Sequence, residues 1–465
     1  MQKDNQFSKV LKIDAERYAP CATRTIPYGR QQIDEDDIQA VVEVLRSDWL
    51  TTGPKVAEFE QAVTDFVGAK YAVAVNSGTA ALHAAMYAIG IGPGDEVILP
   101  PMTFAATANA VVFQGGTPVF ADVDPDTLLI NPNEVEDKIT PRTKAIVAVD
   151  YAGQPCDYDA LRAIAERNGL FLVADACHAL GAEYKGKKVG MLADLTVFSF
   201  HPVKHITTGE GGMVTTDDPE FAERMRMFRN HGITRNPSKF LNANSPMPSA
   251  PCSNLHAPCD MPFYYEMQDL GYNYRITDFQ CALGISQLKK LPKFLKRRRE
   301  IAACYDKALA DIPGIEPLGL SADVQTASQS AERRAQSEDR PLRHAPSSKL
   351  QAPSSMLQAP SSMLHAPCSL HAYHLYVVKV DFEALGMDRT VLFTNLREKG
   401  IGVNVHYIPV HLHLYYRERF KTGSGLCPVA ERAYEQILSL PMFPAMSDED
   451  IHRVIIALQE IVRML

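Results

Sequence analysis

Short apolar segments alternate with alanine-rich segments of helical spacing along the first part of the chain. Apolar runs bounded by turn residues predict buried strands, and longer segments of helical periodicity predict helices. The predicted strands are YAVAV (71–75), EVILP (96–100), PVFADV (118–123), AIVAVD (145–150), LFLVAD (170–175), TVFSF (196–200) and GMVTT (212–216). The predicted helices are TAALHAAMYAIG (79–90), FAATANAVVFQ (104–114) and DALRAIAERNG (159–169). This alternation predicts an α/β fold, in which a mostly parallel sheet lies between helices and ligands bind at the carboxyl ends of the strands.

The pattern changes in the second part of the chain. A long helical segment, CALGISQLKKLPKFLKRRREIAACYDKALADI (281–312), precedes a predicted strand at 374–382 and predicted helices at 388–400 and 448–465. We interpret this region as a smaller α+β domain that the long helix joins to the first. The predicted organisation is an N-terminal extension (1–25), a large domain (26–290) and a small C-terminal domain (291–465).

Two segments rich in Ser, Ala and Pro interrupt the domains, at about 242–262 and about 320–370. The second contains a seven-residue unit repeated as HAPSSKL, QAPSSML, QAPSSML and HAPCSLH (344–371). A heptad could indicate a coiled coil, but each unit carries a proline, which costs about 3 kcal/mol in a helix interior. We therefore predict low-complexity insertions rather than a recognition module.

The same repeats account for a cluster of residues that could otherwise suggest zinc. His256, Cys259, His365 and Cys368 all fall in recurring HAPC units. Repetition explains their spacing without a ligand, so we predict no metal site.

Composition and charge argue against several classes of function. The chain has 47 Lys and Arg against 55 Asp and Glu, a net charge of −8. An acidic balance without a basic block argues against nucleic-acid and anionic-membrane binding. No apolar stretch is long enough to span a bilayer, and the N-terminus lacks the apolar core of a signal peptide. We therefore expect a cytoplasmic protein with reduced thiols.

The strongest chemical signal is Lys204, in the turn between two predicted strands of TVFSFHPVKHITTGEGGMVTT. A desolvated lysine has a lowered pKa and can bond covalently to an aldehyde. Hydroxyl and close-approach backbone sites for a phosphate surround it, at Ser199, Gly209, Gly211 and Gly212.

Asp175 ends the predicted strand LFLVAD, 29 residues before Lys204. Such an aspartate could cap a following helix. Paired with the lysine, it instead suggests a pyridoxal phosphate site, where a carboxylate keeps the pyridine nitrogen protonated and the ring accepts electrons.

Two further segments could complete such a site. In VNSGTAALHAAM, Gly78 and Thr79 open a helix whose first N–H groups are free to bind a phosphate. Phe104 follows a strand end, where its ring could stack on a flat cofactor or pack in the core.

The order of these elements resembles that of the fold-type I pyridoxal phosphate enzymes, and specifically the DegT/StrS family of nucleotide-sugar aminotransferases. The resemblance covers about 26–318 and 374–444 and rests on these segments: IPYGRQQIDEDDI, SDWLTTGPKVAEFE, NSGTAALHAAM, GDEVILPPMTF, FSFHPVKHITTGEGG, LGYNYRITDFQCALGISQL and VHYIPVHLHLYY. Within the family, the chain is most similar to the pseudaminic acid branch. That similarity implies transfer of an amino group from glutamate to C4 of a UDP-linked 4-keto-6-deoxy-N-acetylhexosamine.

The resemblance also implies roles for individual residues. Lys204 would bind the cofactor aldehyde, Asp175 would pair with the pyridine nitrogen, and Phe104 would stack on the ring. The implied phosphate ligands are Gly78, Thr79 and Ser199. His178 would lie near the phenolic oxygen, and Asn273 would reach the phosphate of a neighbouring subunit, which implies a homodimer with shared active sites. The implied substrate-pocket residues are Trp49, Thr51, Arg275, His406, Tyr407 and His411.

The chain departs from the family pattern in three places. It has the N-terminal extension and the two insertions, and His413 and Leu414 stand where relatives usually carry Gln-Pro. The last difference leaves the sugar open, so amination of a dTDP-linked or other sugar, or at C3, is an alternative. A cofactor-binding regulator without catalysis is a third possibility, against which the presence of Lys204 argues.

Overall fold

A computed structural model describes residues 24–240, 263–321 and 369–463. Nearly all of the N-terminal extension, the predicted insertion at 242–262 and most of the insertion at 320–370 lie outside the described residues. The four residues of the zinc hypothesis lie there as well. The predicted domain boundaries stay predictions.

Seven of the fourteen strands in the described residues belong to one sheet. In chain order the strands are β1 (Tyr71–Val75), β2 (Glu96–Leu99), β3 (Thr117–Phe120), β4 (Thr143–Val149), β5 (Phe171–Asp175), β6 (Glu183–Tyr184), β7 (Lys187–Lys188), β8 (Leu195–Ser199), β9 (Gly212–Thr216), β10 (Ile233–Thr234), β11 (Glu266–Met267), β12 (Ile315–Pro317), β13 (Tyr376–Val380) and β14 (Ile437–Leu440). The seven-stranded sheet has the order β1-β9-β8-β5-β4-β2-β3. Only β9 runs against its neighbours in this sheet. The carboxyl ends of the other six strands therefore lie at one edge, which confirms the predicted mostly parallel sheet.

The helices pack around this sheet and continue into the second region. They are α1 (Glu35–Leu45), α2 (Pro54–Val67), α3 (Gly78–Ala88), α4 (Ala105–Phe113), α5 (Pro132–Asp137), α6 (Tyr158–Asn168), α7 (Pro219–Phe228), α8 (Asp278–Leu309), α9 (Arg389–Glu398), α10 (Leu414–Phe420), α11 (Pro428–Gln436) and α12 (Asp448–Arg463). None of the helices in the described parts of the chain has the length and hydropathy needed to cross a membrane.

Alternate residues of the sheet enter cores on opposite faces. In β1, Val73 and Val75 belong to the core that includes α3, whereas Ala72 and Ala74 pack with Phe59 of α2. A strand whose two faces are both buried needs apolar residues throughout, which explains the continuous run YAVAV.

The second region contains a three-stranded antiparallel sheet, β12-β13-β14, with its own core. Helix α8 joins the two regions, since Cys281 and Leu288 pack beside the large sheet and Ile301 and Leu309 pack in the second core. The predicted linking helix and α+β region are thus present.

Several strands differ from their predicted bounds by one or two residues at an end, and β3 differs most. Strand β3 ends at Phe120 rather than Val123. The carboxylate of Asp122 accepts the N–H groups of Val429 (2.8 Å) and Ala430 (3.0 Å) at the start of α11. The chain therefore leaves the sheet to cap a helix from the second region.

Candidate active site

A cavity of about 530 Å³ opens at the carboxyl ends of the strands. It is lined by Tyr28, Ser77, Gly78, Thr79, Leu82, Thr103, Phe104, Ala106, Thr107, Val149, Asp175, Cys177, His178, Ser199, His201, Val203, Lys204, Glu210, His374, Asn404, Val405, His406 and Tyr407. Residues from separate strand ends meet here because parallel strands end at the same edge. The cavity brings together nine of the predicted residues: Gly78, Thr79, Phe104, Asp175, His178, Ser199, Lys204, His406 and Tyr407.

One end of the cavity has the chemistry of an anion site. The Ser77 side chain caps α3 by accepting the Ala80 N–H (3.1 Å), which leaves earlier N–H groups of the helix without intrahelical partners. A Cβ on Gly78 would lie 2.9 Å from the Ser199 Cβ, so glycine alone fits this close approach. The hydroxyls of Thr79 and Ser199 add two more polar groups beside the helix start.

Asp175 lies at the end of β5 and is almost fully buried. Its carboxylate accepts the Thr107 hydroxyl (2.7 Å) and the Cys177 N–H (3.2 Å). The next element after it is the short strand β6, so the helix-cap interpretation is wrong. Asp175 is held towards the cavity by side-chain and loop contacts instead.

A second buried carboxyl lies behind Asp175. Asp150 accepts the Tyr158 hydroxyl (2.9 Å) and the Cys156 N–H (2.9 Å), and it does not line the cavity. Burial raises the pKa of Asp150 to about 7, and the charge of Asp175 adds to the rise. Of these two aspartates, Asp175 is therefore the one that faces the cavity.

Lys204 follows β8 and lines the same cavity. Burial lowers the pKa of Lys204, while Cys177 and Asp175 oppose that shift. Its Nζ lies 3.4 Å from Nε2 of His374. A lysine with a lowered pKa holds a larger fraction of neutral amine, which is the form that attacks an aldehyde.

Aromatic and imidazole rings line the remaining wall. His178 Nε2 lies 3.0 Å from the Tyr407 hydroxyl, and its ring centroid is 4.3 Å from that of His374. Phe104 is 62% exposed and its ring centroid lies 6.0 Å from that of Tyr407. Phe104 therefore lies at the cavity rather than in the core. His406 hydrogen-bonds Ser439 (2.8 Å), and burial lowers the pKa of His406 to about 4.

The structure does not bring every predicted residue into this cavity. Thr51 pairs with Thr277, Asn273 pairs with Asn230, and Arg275 donates to Asn230 (2.8 Å). These residues lie outside the cavity lining, as does Trp49, which is 55% exposed.

The expected place of His411 in the substrate pocket is wrong. His411 is fully buried, and its Nε2 lies 2.8 Å from the Glu431 carboxylate, which also accepts the Gly425 N–H. These contacts tie a loop to α11, because a buried imidazole needs a polar partner. The residue supports the fold rather than a ligand.

Several lining residues were missed by the sequence reasoning. His374 was interpreted only as the start of a strand, and Tyr28, Cys177 and Asn404 were not singled out. Cys177 lies in the segment ADACHALGA with Asp175 and His178, so its proximity was the one available signal. The others come from segments remote in the chain.

The lining residues fit pyridoxal phosphate. The helix start and hydroxyls suit its phosphate, the narrow gap at Gly78 admits no side chain, and Asp175 and Lys204 suit the pyridine nitrogen and the aldehyde. Nδ1 of His178 is buried with no hydrogen-bond partner in the described structure, which leaves a polar group free for a ligand. When bound, the cofactor supplies an electron-accepting ring for carbanion chemistry.

Comparison with known proteins agrees with this chemistry. The model of the DegT/DnrJ/EryC1/StrS aminotransferase family matches residues 31–343 and 347–459. The spore coat polysaccharide biosynthesis protein SpsC of Bacillus subtilis is 40% identical over 439 residues, covering 94% of this chain and 97% of SpsC.

Solved structures give the same result. Helicobacter pylori PseC, an aminotransferase of pseudaminic acid biosynthesis, is 30% identical with a TM-score of 0.76, covering 95% of this chain and 100% of PseC. DesI, solved with its TDP-sugar product, is 30% identical with a TM-score of 0.73, covering 95% of this chain and 94% of DesI. The chain belongs to the DegT/DnrJ/EryC1/StrS family and is a pyridoxal phosphate-dependent sugar aminotransferase.

Proposed function

We propose that the enzyme transfers an amino group from glutamate to C4 of a UDP-linked 4-keto-6-deoxy-N-acetylhexosamine, in pseudaminic acid-type sugar biosynthesis. The observation that carries the proposal is the meeting of Lys204, Asp175 and the α3 anion site in one cavity. The similarity to PseC, whose description names pseudaminic acid biosynthesis, supports the choice of pathway.

Each of the cavity residues has a separate role in the proposed reaction. The start of α3, with Ser199, binds the cofactor phosphate. Asp175 would keep the pyridine nitrogen protonated, and Phe104 would lie against the ring. Lys204 would hold the aldehyde of the cofactor, and its amine, when not so bonded, would accept the proton from the donor carbon and donate one to the sugar carbon. His406 and Tyr407 line the same cavity, and we assign them to contacts with the sugar or its nucleotide.

A second substrate class has its own support. DesI is as similar in sequence as PseC, and its structure contains a TDP-sugar product. A dTDP-linked keto-sugar, or amination at C3, is therefore the alternative. Both substrate classes use the same cofactor residues, so only the nucleotide and sugar contacts separate them.

A substrate panel tests the choice directly. Purified enzyme is incubated with glutamate and either UDP-linked or dTDP-linked keto-sugars, and the products are identified by mass spectrometry. We expect conversion of the UDP-linked 4-keto-6-deoxy-N-acetylhexosamine to its 4-amino product. The Lys204→Ala variant serves as the blank. Conversion of the dTDP-linked sugars alone would contradict the proposed substrate.

We further propose a homodimer with shared active sites. Asn273 is exposed and does not line the cavity of its own chain, as a role towards a neighbouring subunit requires. Large apolar side chains precede it at the surface: Phe263 (77% exposed), Met267 (61%) and Leu270 (67%). Grouped exposed apolar residues commonly mark a protein interface, and a two-fold dimer is the commonest assembly.

Mixing two inactive variants tests the shared site. We expect Lys204→Ala chains and Asn273→Ala chains to recover activity together, because a mixed dimer contains one site with both residues intact. With random exchange, about a quarter of all sites are restored. Activity is measured after subunit exchange is verified by native mass spectrometry.

The matched control mixes Lys204→Ala with Asp175→Ala. These two residues line the cavity of one chain, so no mixed site is complete and no activity should return. Equal recovery in both mixtures, or recovery in neither, would argue against a role of Asn273 in a neighbouring site.

A further inference from the structure

His374 is a hydrogen-bonding neighbour of Lys204 that the sequence did not predict. Its Nε2 lies 3.4 Å from Lys204 Nζ, and the side chain is only 5% exposed. It reaches the cavity from a segment 170 residues later in the chain. Its Nδ1 is buried and has no hydrogen-bond partner among the residues that the structure describes.

Buried side chains hydrogen-bond the backbone carbonyls of residues 372–374. Tyr373 has a positive φ of 48°, a conformation that costs energy for an aromatic residue and commonly persists at functional sites. Arg298 is fully buried, and its Nη1 donates to the carbonyls of Tyr373 (3.0 Å) and His374 (3.3 Å). His205 Nε2 contacts the neighbouring Ala372 carbonyl (3.0 Å).

The protonation state of His374 follows from its surroundings. Burial lowers the pKa of His374 well below its usual value, and the neighbouring Lys204 lowers it further. The imidazole is therefore neutral near pH 7, with one donor and one acceptor nitrogen. If Nε2 accepts from the lysine, the proton lies on Nδ1, which is the nitrogen without a partner.

We propose that His374 is a positioning residue for Lys204, whose Nε2 accepts one N–H of the neutral amine. A primary amine has two N–H groups and one lone pair. With one N–H held by His374, the amine does not rotate freely about the Cε–Nζ bond, so its lone pair is confined to the two remaining tetrahedral positions. This inference rests on the proposed role of Lys204 as the lysine that bonds to the aldehyde.

The step that benefits is the capture of the cofactor. Lys204 Nζ attacks the aldehyde carbon with its lone pair and forms a carbon–nitrogen double bond. The aldehyde oxygen leaves as water with the two hydrogens of the amine. An amine held in one orientation starts nearer to the attacking geometry, so capture should be faster than with a freely rotating amine.

The test measures capture without any sugar. Full-length enzyme freed of its cofactor is mixed with pyridoxal phosphate, and the bond at Lys204 is trapped with borohydride and quantified by mass spectrometry. We expect His374→Phe, which keeps a ring beside His178 but has no acceptor, to slow capture about tenfold, as the loss of one hydrogen bond would give. His374→Gln, which retains an acceptor, should recover most of the rate.

Two controls separate positioning from a merely structural role. Pyridoxamine phosphate lacks the aldehyde, so its affinity should be nearly unchanged in His374→Phe. His83→Phe removes a buried imidazole outside the cavity and should leave capture unchanged. If His374→Phe fails to bind pyridoxamine phosphate, His374→Leu provides a second variant without an acceptor.

Capture at the normal rate in the acceptor-free variants would overturn the proposal. The proposal would also be overturned if His374→Phe and His374→Leu both lost as much affinity for pyridoxamine phosphate as they lost in capture rate. His374 would then only shape the cavity. Trapping at another residue in Lys204→Ala would instead refute the role of Lys204. The two failures are therefore distinguishable.

Discussion

Replacing Lys204 by alanine is expected to abolish transamination while the fold and cofactor pocket persist. In the proposed mechanism the amine both bonds to the aldehyde and carries the proton between the two reacting carbons. The other basic groups of the cavity wall are imidazoles, and burial lowers the pKa of two of them, His178 and His374. General acid–base catalysis and covalent catalysis each contribute large factors, so we expect a loss of at least about 10⁴-fold. The loss of activity is measured as the decrease in amino-sugar formation, which is quantified by mass spectrometry.

The matched control is Lys144→Ala. Lys144 is also partly buried, but it contacts Asp95 and the Gly90 carbonyl away from the cavity. That variant should keep normal turnover. Substantial activity in Lys204→Ala, with circular dichroism showing both variants folded, would remove the lysine from the proposed mechanism.

Changing Asp175 to asparagine is expected to slow both half-reactions by about 10²–10⁴-fold. Asparagine has nearly the same shape and its amide oxygen can still accept the Thr107 hydroxyl, so the pocket should survive. A neutral amide cannot hold a proton on the pyridine nitrogen, and an unprotonated ring is a poor electron acceptor. Single-turnover absorbance changes with glutamate measure the first half-reaction.

The Thr107→Val variant separates the effect of the Asp175 charge from the effect of the hydrogen bond that holds its carboxylate in place. This variant removes the hydroxyl that donates to Asp175 but leaves the carboxylate in place. The loss of one hydrogen bond to a charged group costs about 1.5–3 kcal/mol, so its effect should be smaller than that of Asp175→Asn. A normal rate in Asp175→Asn would show that the carboxylate only maintains the local fold.

The local pattern of apolar and capping residues predicted much of the fold. Strand β1 and helix α3 lie where the apolar run and the Ser-Gly-Thr start predicted them, because strand periodicity and helix capping are local properties. The helices α1, α2 and α7 were not predicted. Their apolar residues are separated by charged ones, and α1 and α2 have only an amphipathic stripe that packs on α8.

The amino-acid sequence was sufficient to predict that Asp175 and Lys204, the two groups to which we assign the chemistry, lie in one site. Asp175 and Lys204 each follow a predicted strand, and strand ends of a parallel sheet converge at one edge, so their meeting followed from the strand pattern. The glycine and hydroxyl residues of the anion site could be predicted for the same reason, since capping chemistry is visible in a short segment.

The remote residues that join Asp175 and Lys204 could be identified only from the folded structure. His374 reaches Lys204 because β13 pairs in a second sheet and Arg298 holds the backbone before it. His411, only a few residues from the cavity residue Tyr407, turns instead into a buried contact with Glu431. Periodicity and turn chemistry specify segments, but the side-chain contacts between distant segments depend on how their packed surfaces fit.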